Sequence, residues 1–140
     1  MAKLQLAVVT ADGESFSGEV DAVVAPGGLG EFTVLPSHAR MISTLAPGVL
    51  RFDQAGESVF LALSGGFLEI SDNRVTVLAD AAEQDDAIDL ERAEAALARA
   101  RERIASSPTD IDLERAMTSL RRARVRVNLG RRRRERGNVR

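Results

Sequence analysis

IDLERAEAALARARERIAS, residues 88–106, and IDLERAMTSLRRARVRVNL, residues 111–129, are one pattern written twice. The copies agree at eleven of nineteen positions: the six of IDLERA, then Leu97/Leu120, Arg99/Arg122, Ala100/Ala123, Arg101/Arg124 and Arg103/Arg126. Apolar residues recur at steps of three and four in each, through Leu90, Ala93, Leu97, Ala100 and Ile104, and through Leu113, Ala116, Leu120, Ala123 and Val127. That spacing predicts two amphipathic helices. Between them Ser106-Ser107-Pro108-Thr109 stops the first helix, because proline disfavours a helical residue before it, and Asp110 offers a cap for the second. So short a connection predicts antiparallel neighbours. Nineteen residues make a helix roughly 28 Å long. With alanine at two of its five layers, the hairpin buries little apolar area alone and needs a second surface, which suggests a movable arm.

The rest of the 140 residues fits this picture of two small units. Cysteine is absent, which removes disulfides, thiolate metal sites and thiol nucleophiles together. No apolar run approaches the ~20 residues of a membrane span, and the start runs almost at once into an alternating strand, so an untargeted cytosolic chain is expected. The net charge of −2 conceals an asymmetry. Residues 1–80 carry ten acids and four bases, residues 81–120 ten and five, and residues 121–140 one and ten. The basic end calls for an acidic partner.

Before residue 80 the period is two. KLQLAVVT at 3–10 alternates, ADGE turns, and FSGEVDAVVAP reads as further strand broken near Gly18, opening an antiparallel meander. Gly27-Gly28-Leu29-Gly30, Ala46-Pro47-Gly48, Gly65-Gly66 and Asp72-Asn73 punctuate the strands that follow. Short strands with turn chemistry between them predict a β-sandwich or barrel over 1–80. An acidic joint then spans 81–87, the helical hairpin 88–129, and an Arg-rich flexible tail 130–140. The fold class is α+β.

No stretch encodes an enzyme. GGLG at 27–30 lacks the Lys-Ser/Thr and the following helix of a phosphate loop. Ser64 in ALSGGF lacks the preceding glycine and the helix of a nucleophile elbow. His38, the lone histidine, reads as a loop anchor, and Asp85-Asp86 as solvated linker. Metal and catalytic residues are therefore none. The hairpin arginines are more informative: Arg92 and Arg99 lie seven apart on one helix face, and Arg122 and Arg126 four apart on the other. Facing helices would bring four guanidiniums together, which is costly unless an anion is shared. The alternative is a solvated face paired with acids such as Glu91 and Glu94.

VVTADGESFSGEV near the start, GEFTVLPSHA in the middle, LALSGGFLEI followed by RVTVLAD, and the box Ile88-Asp89-Leu90-Glu91-Arg92-Ala93 together carry a resemblance. The chain resembles the epsilon subunit of bacterial F-type ATP synthase over nearly everything up to residue 129. Arg40, Ala11 and Thr33 depart from the family's usual residues, and the tail from Gly130 matches none of its motifs. The resemblance implies an N-terminal antiparallel sandwich of about ten strands in two sheets that binds the gamma subunit and the c-ring. It implies a C-terminal antiparallel two-helix hairpin that rests folded, or extends toward the alpha/beta catalytic subunits and blocks ATP hydrolysis. It makes the chain a non-catalytic rotor subunit, peripheral on the cytoplasmic face of the bacterial plasma (inner) membrane and touching the membrane only through the complex. No cofactor is required. A regulatory ATP is implied, with Arg92, Arg99, Arg122 and Arg126 around the phosphates and Glu83, Ile88, Asp89 and Ala93 toward the nucleoside. His38, Arg121 and Arg124 are the expected partner contacts.

A free-standing polyanion or nucleic-acid binder is the rival reading. It rests on the basic end alone, since five Phe and no Trp or Tyr leave the sandwich without interleaved aromatics to stack bases.

Overall fold

Strand alternation places its apolar residues inside. In β1 (Leu4–Thr10) Leu4, Leu6 and Val8 are fully buried and Gln5 is exposed; in β3 (Ala22–Gly27) Val23 and Ala25 are buried. The computed structural model describes residues 2–106 and 110–138, save the side chains of 110–112 and 136–138. The other strands are β2 (Gly13–Val20), β4 (Gly30–Val34), β5 (Met41–Gln54), β6 (Glu57–Ser71), β7 (Arg74–Ala79) and β8 (Ala82–Gln84). They hydrogen-bond in the order β2-β1-β7-β6-β5-β3-β4, with β8 on β6.

Two strands serve both layers of the sandwich. Along β6 the residues of the sandwich core are Leu61 and Leu63, then Leu68 and Ile70, so the parity facing that core changes from odd to even; Ala62 is also buried but is not part of it. β5 changes likewise between Leu45 and Leu50. A change of parity means that the strand crosses from one layer to the other, and it falls where Ala46-Pro47-Gly48 runs beside Ser64-Gly65-Gly66. Gly66 has φ +141°, and a Cβ there would collide with the Leu78 carbonyl. Eight described strands therefore do the work for which about ten short ones were expected.

Several expected details change. β1 and β2 form the expected antiparallel hairpin, from Leu4↔Val20 to Thr10↔Gly13, but β1 also pairs in parallel with β7, through Gln5↔Arg74 to Val9↔Leu78, and β3 pairs with β4 and β5, so the meander does not continue past β2. β2 runs through Gly18 and ends at Val20; a Cβ at Gly18 would lie 3.3 Å from the Phe16 ring and from Gln54 Nε2, so this glycine marks close packing and not a break. The β6–β7 turn holds Asp72 and Asn73 at φ 50° and 60°, the two positive values of a hairpin loop that follows the sheet's twist.

The second unit begins at Asp85. A single 3-10 turn at Asp85–Ala87 follows β8 directly, so residues expected as an acidic joint are divided between an edge strand and a helical turn. Then come α1 (Leu90–Ser106) and α2 (Asp110–Asn138). Leu90, Ala93, Leu97, Ala123 and Val127 form the buried seam, with Ile88, Ala96 and Leu120 packed against it. The expected turn at 107–109 and the side chain of Asp110 lie outside the described residues. Where a flexible tail was expected from residue 130, α2 continues to Asn138.

Candidate functional site

The IDLERA box of the first repeat is the start of α1. Asp89 Oδ1 accepts the Arg92 backbone N–H at 3.2 Å, and the Asp89 carbonyl accepts from Ala93 N at 3.0 Å, so Asp89 is the helix cap. Ile88, just outside, leans on the hairpin seam, and Ala93 is fully buried within it. The second IDLERA has another setting, because α2 already begins at Asp110 and the same hexapeptide is its first turn and a half. One sequence serves as a cap in one copy and as helix interior in the other.

Seven of the eight expected nucleotide residues thus fall on the helical unit. Ile88, Asp89, Arg92 and Ala93 cluster at the beginning of α1; Arg92 and Arg99 are exposed on that helix, while Arg122 is exposed and Arg126 half-buried on α2. Glu83 belongs to the sandwich unit, half-buried in β8 opposite Ala62. Arg121 and Arg124 are exposed on α2.

Beside the box lies a constellation that the sequence reading missed. Arg131 Nη2 approaches Glu94 Oε1 at 3.3 Å, and Arg133 Nη1 approaches Asp85 Oδ1 at 3.4 Å. The Asp85 side chain is only 10% exposed, so it is no solvated linker acid. Gly130 is buried against the box: a Cβ there would stand 3.2 Å from Leu90 Cδ1 and 3.3 Å from Ile88 Cγ2. The available signal was the step of three from Val127 to Gly130, which carries the inward face past the end of the repeat.

The sandwich offers a different kind of surface. Leu29 projects fully from the β3–β4 loop, and Ile42, Phe67 and Leu78 are each more than half exposed, with Phe67 and Leu78 paired across β6 and β7. A groove of about 490 Å³ opens beside them, lined among others by Leu29, Glu31, Phe32, His38 and Ile42. His38 Nδ1 lies 2.8 Å from the Ala39 carbonyl. Its loop is tied down by Ser37 N–H donating to Asn73 Oδ1 at 2.6 Å and by Arg40 donating to Ser71 Oγ at 3.1 and 3.2 Å. Among the described residues no carboxylate or histidine group has the arrangement of a metal site, and no helix is long and apolar enough to cross a membrane.

Family sequence models match both units in order: the beta-sandwich domain of the ATP synthase delta/epsilon chain over residues 3–85, and its long alpha-helix domain over 86–129. The chain belongs to the ATP synthase delta/epsilon family. The ATP synthase epsilon chain of Carboxydothermus hydrogenoformans is 52% identical over 103 residues, 74% of this chain and 77% of that one. The epsilon chain of Desulforamulus reducens is 48% identical over 111 residues, 79% of this chain and 84% of the relative. A chain in the cryo-EM structure of the Euglena gracilis mitochondrial ATP synthase, OSCP/F1/c-ring in rotational state 1, superposes with a TM-score of 0.77 at 27% identity, covering 86% of this chain and 77% of that one. The helix-domain match ends at 129, and residues 130–138 of α2 lie beyond the matched stretch.

Proposed function

We propose that this family member is the epsilon-type rotor subunit in the central stalk of a membrane-bound ATP synthase, a structural and regulatory part that performs no catalytic step itself. The observation that carries this is the tandem of both family domains across residues 3–129, in a fold like that of a chain assembled with F1 and a c-ring. A free-standing polyanion binder is not favoured, because such a protein has no use for this pairing of domains. The sandwich is the coupling element. Its exposed Leu29, Ile42, Phe67 and Leu78, with the His38 loop, suit a partner that covers apolar surface, here the gamma subunit and the c-ring. We infer for the subunit a peripheral position on the cytoplasmic face of the bacterial plasma membrane.

The hairpin is the regulatory element. Extended toward the alpha/beta subunits it restrains ATP hydrolysis, with Arg121 and Arg124 among its contacts to acidic surface; folded, it does not. ATP held by Arg92, Arg99, Arg122 and Arg126, with Ile88, Asp89, Ala93 and Glu83 toward the nucleoside, favours the folded form by its differential affinity. At a hundred times the dissociation constant that bias is about 2.7 kcal/mol, enough to move a balanced arm roughly a hundredfold. The deciding experiment is hydrolysis by the assembled complex with the full chain and with a chain ending at Gln84. Truncation is expected to raise hydrolysis while gamma binding persists. Unchanged hydrolysis would end the brake reading, and lost gamma binding would end the assignment of coupling to the sandwich. Calorimetry of the full chain with ATP tests the sensor: binding unaltered by joint Arg92→Ala and Arg126→Ala substitution would return these arginines to a solvated face.

A further inference from the structure

Glycine inside a helix costs about 1 kcal/mol relative to alanine, so one held at a buried helical position needs a reason. Gly130 has one, since the backbone of α2 approaches Ile88 and Leu90 more closely than a Cβ would comfortably allow. Immediately beyond it, Arg131 reaches Glu94 on α1 and Arg133 reaches Asp85 in the 3-10 turn, while Leu129 just before it is fully buried. The contacts of Gly130, Arg131 and Arg133 join the last part of α2 to the 3-10 turn, Ile88 and the start of α1. They lie at or beyond the point where the family's helix domain stops matching.

We propose that residues 129–133 form a clasp that holds the hairpin of this chain folded: a glycine seat against Ile88 and Leu90, fastened by the ion pairs Arg131–Glu94 and Arg133–Asp85. The consequence for the brake rests on the function proposed above, but the clasp itself does not. Partial exposure of the Arg131 and Glu94 side chains, 58% and 45%, makes that pair weak and salt-sensitive. The Arg133–Asp85 pair is the stronger fastening, because Asp85 is largely withdrawn from water and a reversed charge at 133 would face it there. Antiparallel packing adds to both, since the acids cluster near the positive end of the α1 dipole and the arginines near the negative end of α2. The clasp raises the partner affinity needed to extend the arm, lowers the ATP level needed to keep it folded, and makes that switch depend on ionic strength.

Hydrogen exchange on the full chain reads the clasp directly. Joint Arg131→Glu and Arg133→Glu substitution is expected to speed exchange of the amides of residues 90–97 about tenfold in low salt, leaving the sandwich amides unchanged. The difference should shrink toward none at high salt. A swapped pair, Glu94→Arg with Arg131→Glu, is expected to recover protection relative to Arg131→Glu alone, which a mere loss of helix would not allow. Gly130→Leu is expected to open the same amides without any salt dependence. Equal protection in the wild type and the double variant, or a difference indifferent to salt, would overturn the clasp. In the assembled complex, the double variant should lower hydrolysis by freeing the arm to extend. Should exchange respond and hydrolysis not, the clasp stands and the brake reading falls.

Discussion

The sandwich and the hairpin differ most in what their interiors are made of. Among the described residues the sandwich core holds seventeen buried apolar side chains, including Phe52, seven leucines and Ile70, with the Phe16 ring tilted against Phe52 at 4.3 Å between centroids. The hairpin seam holds five, two of them alanine. Burial contributes roughly 25 cal/mol per Å², so a leucine-rich core secures its unit while an alanine seam only just opposes the chain entropy it must overcome. A coupling element has to transmit force without yielding. A regulatory arm has to be movable by small energies, such as one bound ligand or two ion pairs. The contrast in cores is thus the physical form of the division of labour.

If so, substitutions in the two units should differ in kind as well as in size. Phe52→Ala, at 1% exposure and in contact with Phe16, is expected to cost about 3–5 kcal/mol and to lower the sandwich's denaturation midpoint. Because this unit carries the gamma surface, gamma binding should fall with it. A small cost in chemical denaturation would show that the sandwich is not the rigid partner.

Leu97→Ala removes the central large side chain of the seam, which is 8% exposed. The expected cost is about 2 kcal/mol, and it should appear as local opening of α1 and α2 in hydrogen exchange with the sandwich transition unmoved. One cooperative transition displaced as a whole would merge the two units thermodynamically and remove the independence claimed for the arm.

A smaller effect belongs to the cap. Asp89→Ala deletes the acceptor of the Arg92 N–H and is expected to cost about 1 kcal/mol of hairpin stability, most of it recovered by Asp89→Ser. If Asp89 also faces a nucleoside, the serine variant should keep the helix and weaken ATP binding. Equal ATP affinity in both would confine Asp89 to its capping role.

The parts legible in sequence were those whose cause is local. The seam residues Leu90, Ala93, Leu97 and Ala100, and Ala116, Ala123 and Val127, all lie inside as the three-and-four spacing requires. Asp72-Asn73 turns because its side chains tolerate positive φ. What escaped depends on partners far away in the chain. The parallel β1–β7 pairing joins strands nearly 70 residues apart, and no local pattern states it. Four consecutive arginines read as a flexible tail until Arg131 meets an acid 37 residues earlier and Arg133 one 48 residues earlier. Asp85 read as solvated for the same reason: its burial is conferred by structure around it, not by its neighbours in sequence.

The least effect should come from the sandwich surface, where charge is present without burial. Lys3 Nζ donates to Asp21 Oδ1, with both side chains 43% exposed. The hydrogen bond, and after it the negative charge of Asp21, hold the Lys3 ammonium above its ordinary pKa of 10.5. A pKa raised on folding means that the pair's contribution is complete at neutral pH and is lost as the pH climbs through the folded-state value. Water screens so exposed a pair and side-chain entropy opposes it. Lys3→Met should therefore shift the melting temperature at pH 7 less than any of the other three variants, and the difference should fade in strong alkali and in high salt. Were Lys3→Met instead to destabilise the sandwich as much as Asp89→Ala destabilises the hairpin, persistently at high ionic strength, surface charge would share with the core the task of holding the coupling unit rigid. The contrast between the two regions would then be one of electrostatics as much as of packing.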